Sequence, residues 1–264
     1  MATHFARGIF NDGQLISVRL PASCHNDARR MPQHRRTRFL ASRALLAELM
    51  SMLYGVRQLP DILIRPDGKP VFRDRDQPRF SIAYAGNIVG VALCTEGECG
   101  LDMELQRAMR NFQSPRALDN YPFSNNETLW INNQSDPNEA RIQLATLRQS
   151  ILKLTGDVHN NCAQQLQLLP GSGRLRTTRV QQIEAICDAE DVLVWSIAAS
   201  PSIERLKVWE FDAQRGWRSL PDMNARANAP AGCLMRFTSL PAEKALILNQ
   251  AVSCDEKESS CLKH

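Results

Sequence analysis

Residues 99–105 read Cys-Gly-Leu-Asp-Met-Glu-Leu, so Asp102 and Glu104 stand two apart between Leu101, Met103 and Leu105. In an extended strand alternate side chains share a face, which sends the three apolar residues one way and the two carboxylates the other, with Cβ atoms roughly 7 Å apart. Two carboxylates at that span can share a divalent cation. A half-exposed strand with a polar outer face has the same pattern, and the segment alone leaves both readings open.

Other groups able to do chemistry are sparse. None of His4, His25, His34, His159 and His264 lies at a zinc-ligand spacing from a second ligand, which argues against a zinc site. Cys24 and His25 are adjacent, and neighbours in sequence rarely face each other as nucleophile and base must. The eight cysteines form no C-x-x-C pair, the closest spacings being Cys94 to Cys99 and Cys254 to Cys261, so reduced and mostly buried thiols are expected. Arg29, Arg30, Arg35, Arg36, Arg38 and Arg43 crowd into fifteen residues and offer a docking place for something anionic, although the net charge is only +4. A nucleic-acid binder built on that cluster would need interleaved aromatics, and aromatic residues are 6% of the chain.

The elements that must position these groups follow from periodicity. With 264 residues the chain can form one large domain or two small ones. Its longest apolar runs, IVGVALC and VLVWSIAA, are strand-sized and far short of a spanning helix, and the N-terminus lacks a signal-peptide pattern. A cytoplasmic protein with no membrane partner is the expectation. A first strand is expected around Leu15 to Leu20, then a helix over residues 35–54 with Phe39, Leu46, Met50 and Leu53 at helical spacing and Gly55 as its stop. Pro66, Asp67 and Gly68 signal a turn, FSIAYAG and IVGVALC two strands joined at Gly86-Asn87, and CGLDMEL a further strand. Residues 106–138 read as a long loop with one short helix, and residues 139–155 as a second long helix closed by Gly156. Thr146, Gln149 and Lys153 share one face of it. VQQIEAIC and VLVWSIAAS form a hairpin completing a second sheet, and LKVWEFDAQRGWRSL a further hairpin.

In this order the segments resemble motifs of the 4′-phosphopantetheinyl transferases, and specifically a divergent bacterial member of their monomeric, two-subdomain branch. FLASRALL is similar to the family's first helix, GKPVF to its Gly-Lys-Pro turn, FSIAYAG to its Phe-Asn-Leu-Ser-His-Ser strand and GLDME to its Gly-x-Asp-x-Glu metal strand. FSNNE at 123–127 resembles the Phe-Ser-x-x-Glu element, and ATLRQSILKLTG stands in the place of Trp-Thr-x-Lys-Glu-Ala-x-x-Lys-x-x-Gly. The likeness covers about residues 36–200.

The resemblance implies an α+β fold of two similar α/β subdomains with pseudo-twofold symmetry, residues 1–98 and 99–215. Residues 216–264 would be a C-terminal extension whose polar tail has nothing to make it fold. It implies a monomer that transfers the 4′-phosphopantetheine arm of coenzyme A to a serine of an apo acyl carrier protein or carrier domain, as a holo-ACP synthase does, leaving 3′,5′-ADP and requiring Mg²⁺. Asp102 and Glu104 would hold the metal. Arg43, Lys69, Arg148 and Lys153 would bind coenzyme A, with Ala83 and Tyr84 at positions that contact its phosphates. Arg35, Arg36 and Arg38 would add phosphate contacts, receive the acidic carrier protein, or form a solvated face.

The catalytic positions carry the departures. Gln149 stands where the family has a metal-binding glutamate that helps deprotonate the serine, and an amide cannot accept a proton. Losing a general base costs about 10²–10⁴-fold in rate, with Glu127 as a candidate substitute beside Lys153. Arg148 replaces the motif lysine, Ala145 the motif tryptophan, and Ala83 and Tyr84 a serine and a histidine. Two readings follow. One is a working transferase, the other a degenerate relative that binds coenzyme A or carrier protein without transfer.

Overall fold

The computed structural model describes residues 2–10, 15–106, 122–156, 166–224 and 232–238. In chain order the elements are β1 (Ala2–Ile9), α1 (Ala22–Arg29), α2 (Gln33–Tyr54), β2 (Ile62–Ile64), β3 (Pro70–Phe72), β4 (Arg79–Ala85), β5 (Ile88–Cys94), β6 (Glu98–Leu105), α3 (Asn125–Asn132) and α4 (Pro137–Thr155). They continue with β7 (Leu166–Leu169), β8 (Arg174–Thr177), β9 (Ile183–Ala189), β10 (Leu193–Ser200), β11 (Arg205–Asp212), β12 (Gly216–Ser219), β13 (Met223–Asn224) and β14 (Cys233–Phe237). The result is a mixed α+β protein with two large sheets. The first runs β12-β11-β1-β5-β4 with β13 also on β11, the second β6-β10-β9-β14-β8-β7, and β2 and β3 pair apart. No helix among the described residues is long and apolar enough to cross a membrane.

Strand alternation makes four layers. Ala6, Val89, Val91 and Phe80 on one face of the first sheet pack with Leu45, Leu46, Leu49 and Met50 of α2. The opposite face, carrying Phe5, Ala83, Ala85 and Ala92, meets Leu101, Met103, Trp195 and Ile197 of the second sheet. The far face of that sheet, with Ala185, Val194 and Ala198, buries Leu144, Leu147, Ile151 and Leu154 of α4. Both long helices end on glycines in the left-handed region, Gly55 at φ 68° and Gly156 at φ 79°, which a side chain would strain.

Two expectations change. The first strand is β1, not residues 15–20: Leu15 and Leu20 are buried, but Ile16 and Val18 are exposed and Ser17 Oγ bonds Glu48 Oε1 at 2.6 Å, so the segment lies across the surface. The late hairpin does not stand alone. β11 pairs in parallel with β1 along its length, so residues 205–212 complete the first sheet. The polar tail and residues 107–121 of the expected loop lie outside the described residues.

The second sheet touches α4 backbone to backbone at Gly100. A Cβ on Gly100 would fall 1.9 Å from the Ser150 carbonyl oxygen and 2.6 Å from the Leu154 nitrogen, so no side chain fits while the helix keeps its seat. Gly100→Ala should therefore lower unfolding stability by on the order of 3 kcal/mol, read from the urea midpoint.

His4 is held neutral by its surroundings. Its Nδ1 accepts from Trp209 Nε1 at 3.2 Å across the β1–β11 pair, and burial, with Lys207 nearby, lowers its pKa to about 4 from an ordinary 6.5. Between those values the unfolded chain binds the proton and the folded one refuses it, so this contribution is intact above pH 6.5 and is lost as pH falls toward 4. His4→Gln should flatten that part of the stability profile, measured as the urea midpoint against pH.

Candidate functional site

Asp102, Glu104 and Lys153 are brought together by the seating of α4 on β6. With Leu101 and Met103 turned into the core between the sheets, Asp102 and Glu104 share the face that carries Gly100. Lys153 Nζ, in the last turn of α4, donates to Asp102 Oδ1 at 2.6 Å. Burial raises the Asp102 pKa against the pull of Lys153, and burial together with the Asp102 charge raises that of Glu104. Two carboxylates that feel each other's charge are an oxygen donor set of the kind Mg²⁺ takes, since that ion uses one or two carboxylates and fills its shell with phosphate oxygens and water. Among the described residues no group of three or more His, Cys, Asp or Glu could hold a metal ion. Gln149, half-buried, stands one turn before Lys153 on α4.

A second group gathers where α2 meets β4. Arg43 is 9% exposed and makes no hydrogen bond or ion pair among the described residues, its guanidinium lying over the Phe39 ring at 4.9 Å. Burial depresses its pKa against the opposing pull of Tyr84, Cys24 and Asp27. Tyr84 Oη donates to the Arg38 carbonyl at 3.2 Å, the Arg38 guanidinium sits 5.9 Å from the Tyr84 ring centroid, and burial raises the phenol's pKa. Of the neighbouring arginines Arg35 is exposed, while Arg36 closes the turn between α1 and α2 through the carbonyls of Ala28, Arg29 and Met31 at 3.1–3.3 Å.

The remaining sequence candidates face inward. Ala83, on the other side of β4 from Tyr84, packs in the core between the sheets. Lys69 directs all three ammonium donors to protein: Glu98 Oε2 at 2.6 Å, the Cys99 carbonyl at 3.1 Å and the Leu154 carbonyl at 3.3 Å. Glu127 is fully buried at the start of α3, where FSNNE forms a capping box: Ser124 Oγ accepts from Glu127 N at 3.3 Å and Glu127 Oε2 from Ser124 N at 2.7 Å. Its other oxygen pairs with Arg148, whose Nη1 also donates to the Leu166 carbonyl at 2.9 Å. Both oxygens of the Glu127 carboxylate are therefore engaged by protein groups.

Comparison with known proteins fits this geometry. No protein-family profile matches the chain. It is 64% identical over 249 residues, 94% of its length and the whole of the relative, to uncharacterized protein YieE of Escherichia coli K12. The chain belongs to the YieE family. It is also 34% identical over 110 residues to the 4′-phosphopantetheinyl transferase AcpT of Escherichia coli K12, covering 42% of the chain and 51% of AcpT. A putative 4′-phosphopantetheinyl transferase of Synechocystis, slr0495, is 28% identical over 162 residues, covering 56% and 63%. These partial, distant likenesses support a place in the 4′-phosphopantetheinyl transferase superfamily.

Two determinants of the site in this YieE-family chain escape a reading by motif. Gly100 is the contact that lets α4 reach β6, and a glycine inside a strand pattern was its signal. Glu98 is the other: it receives Lys69 and lies within 3.6 Å of Arg65 and Arg79, which no local spacing reveals. A cavity of about 420 Å³ opens beside Glu127 and Arg148, lined also by Phe123 and Leu166, and includes none of Asp102, Glu104 and Lys153. The Glu127–Arg148 pair beside it is an enclosed ion pair, so removing one partner strands the other charge. Glu127→Gln should cost about 3–5 kcal/mol in urea unfolding, and the double replacement Glu127→Leu with Arg148→Met should recover most of the loss.

Proposed function

We propose that this protein is a 4′-phosphopantetheinyl transferase that moves the phosphopantetheine arm of coenzyme A to a serine of an apo carrier protein. The observation that carries the reading is the Asp102–Glu104 strand face lying against Lys153 at 2.6 Å. The partial homology to named transferases agrees with it. In the proposed reaction the serine oxygen bonds to the phosphorus bearing pantetheine, the phosphoanhydride bond breaks, 3′,5′-ADP leaves, and the serine proton passes to water. Phosphoryl transfer needs placement and charge neutralisation more than covalent chemistry from the protein. Asp102 and Glu104 would hold Mg²⁺, which supplies neutralisation of the pyrophosphate charge. Lys153 would grip the pyrophosphate, and Arg43, Arg38 and Tyr84 a further phosphate of coenzyme A. Lys69 and Ala83 would serve that site through the positions of β6 and β4. The fold would be two pseudo-twofold-related subdomains acting as a cytoplasmic monomer, with the ligand in the cleft between them.

Gln149 favours a second reading. With no proton acceptor at 149 and both Glu127 oxygens engaged by Arg148 and the capping box, neither of these two positions offers a free base, while the binding groups are retained. That describes a protein that binds coenzyme A or carrier protein and transfers nothing.

Incubation with coenzyme A, Mg²⁺ and a panel of apo carrier proteins, read by intact-mass spectrometry, separates the two. The transferase reading expects a phosphopantetheine mass gain that Asp102→Ala abolishes and Gln149→Glu accelerates by about 10²-fold or more. A gain seen only with Gln149→Glu makes the natural chain a binder. No gain with any variant, and no change in melting temperature with coenzyme A or with any of the apo carrier proteins, would sink both.

A further inference from the structure

Asp102 already has a cation. The Lys153 ammonium lies 2.6 Å from its Oδ1 in a contact whose side chains are 28% and 15% exposed, and Glu104 feels the same positive charge. Two carboxylates and one ammonium leave the cluster a net charge of −1, where two carboxylates alone would present −2. A divalent ion entering beside Asp102 would meet a like charge at contact distance, in surroundings that screen it poorly. With Lys153 on Oδ1, the ammonium opposes a second cation at Asp102.

We propose that Lys153 is an exchangeable counter-ion for the metal position: in the unliganded protein its ammonium occupies Asp102, and a divalent cation binds by displacing it. The inference rests on the metal site of the proposed function and goes beyond it, because it assigns Lys153 two alternating partners. The exchange is sterically open on one side and closed on the other. Lys153 belongs to a turn pinned from below, where the next residue's carbonyl, Leu154 O, is held by Lys69 and Gly156 ends the helix, so the backbone stays in place. Its four-carbon stem is partly exposed and can swing the ammonium outward without moving α4. Released from Asp102, the ammonium needs a new anion, and a phosphate ligand arriving with the metal provides one. Metal and phosphate ligand thereby favour each other's binding, while the free protein resists stray divalent ions.

Titration of the full-length chain with Mn²⁺ alone, followed by the electron paramagnetic resonance signal of free Mn²⁺, tests the exchange without any turnover. Lys153→Met and Lys153→Gln should each bind Mn²⁺ roughly tenfold or more tightly than the natural chain, within the range of direct couplings between sites. Lys153→Arg should bind no more tightly than the natural chain, and Asp102→Asn should abolish binding in every background. Equal Mn²⁺ affinity with lysine and with methionine, still abolished by Asp102→Asn, overturns the exchange and leaves the metal site standing. Mn²⁺ binding that is absent throughout, or indifferent to Asp102→Asn, removes the metal site and the exchange with it. The natural chain supplies an independent reading that does not depend on any variant folding. Saturating Mg²⁺ should shift the Lys153 side-chain resonance as the ammonium leaves Asp102, and an unmoved resonance overturns the proposal.

Discussion

Everything at the candidate site hangs on how closely α4 approaches β6. The two backbones meet at Gly100, where the space left by a missing side chain is filled by the Ser150 carbonyl and the Leu154 amide. Helix and sheet usually stand apart by the thickness of a side-chain layer, and here that layer is absent at one residue. Two residues further along β6 lies Asp102, and one residue before Leu154 on α4 lies Lys153, so the contact at Gly100 sets the length of the bridge between them. The hydroxyls of Ser150 and Ser196, 3.0 Å apart and both fully buried, lock the same seam one strand over. Were α4 lifted by a methyl group, the Lys153 stem would have to extend further to keep its ammonium on Oδ1.

A clamp on the same last turn of the helix comes from the β2–β3 hairpin. The turn at Asp67 and Gly68 lies against Gly156, whose missing side chain leaves room for the Asp67 carboxylate, and Lys69 reaches in from that turn to the Leu154 carbonyl and to β6. Removing a lysine from water is expensive unless every proton finds an acceptor, and here all three do, one of them on the Glu98 carboxylate. A hairpin adjoining the first sheet thus fixes the last turn of a helix packed on the second. A similar bond ties the sheets elsewhere: Arg7 on β1 bridges Glu190 beside β10 and Glu210 on β11, and Trp195 Nε1 donates to Glu190 at 2.9 Å.

How far the sequence reveals this depends on the range of each interaction. The helices of residues 33–54 and 137–155, their terminal glycines, the β4–β5 hairpin at Gly86-Asn87 and the alternation of β6 are local patterns, legible because periodicity and turn chemistry act over a few residues. β1 escaped because pairing with β5 on one side and β11 on the other selected it over the equally strand-like residues 15–20, and that competition is decided by partners about 90 and 200 residues away. Among the candidate site residues, the Asp102–Glu104 pair was legible from its own strand and Lys153 only through the resemblance. The partners of Glu127 were not. A Ser-x-x-Glu run before a helix has a local meaning, a capping box, and that local meaning, with Arg148 as its buried partner, is the one the structure shows.

Two of the departures on α4, Arg148 and Gln149, have different physical weights. Arg148 points toward α3, where its planar fork satisfies Glu127 and the Leu166 carbonyl at once, a geometry a lysine would meet less well, so this replacement is absorbed by the core. Gln149 has the half-buried position one turn from Lys153, and its effect is on charge. A glutamate there would give the cluster three carboxylates against one ammonium, a net −2, and the ammonium would compete poorly with a divalent ion. With glutamine the balance is −1, close to neutrality, and the Lys153–Asp102 pair is nearly self-sufficient. On the transferase reading, a site so balanced depends on the ligand's own phosphates both to complete the metal's shell and to draw the ammonium away. On that same reading, the substitution that would remove the base would also tie metal binding to the arrival of substrate.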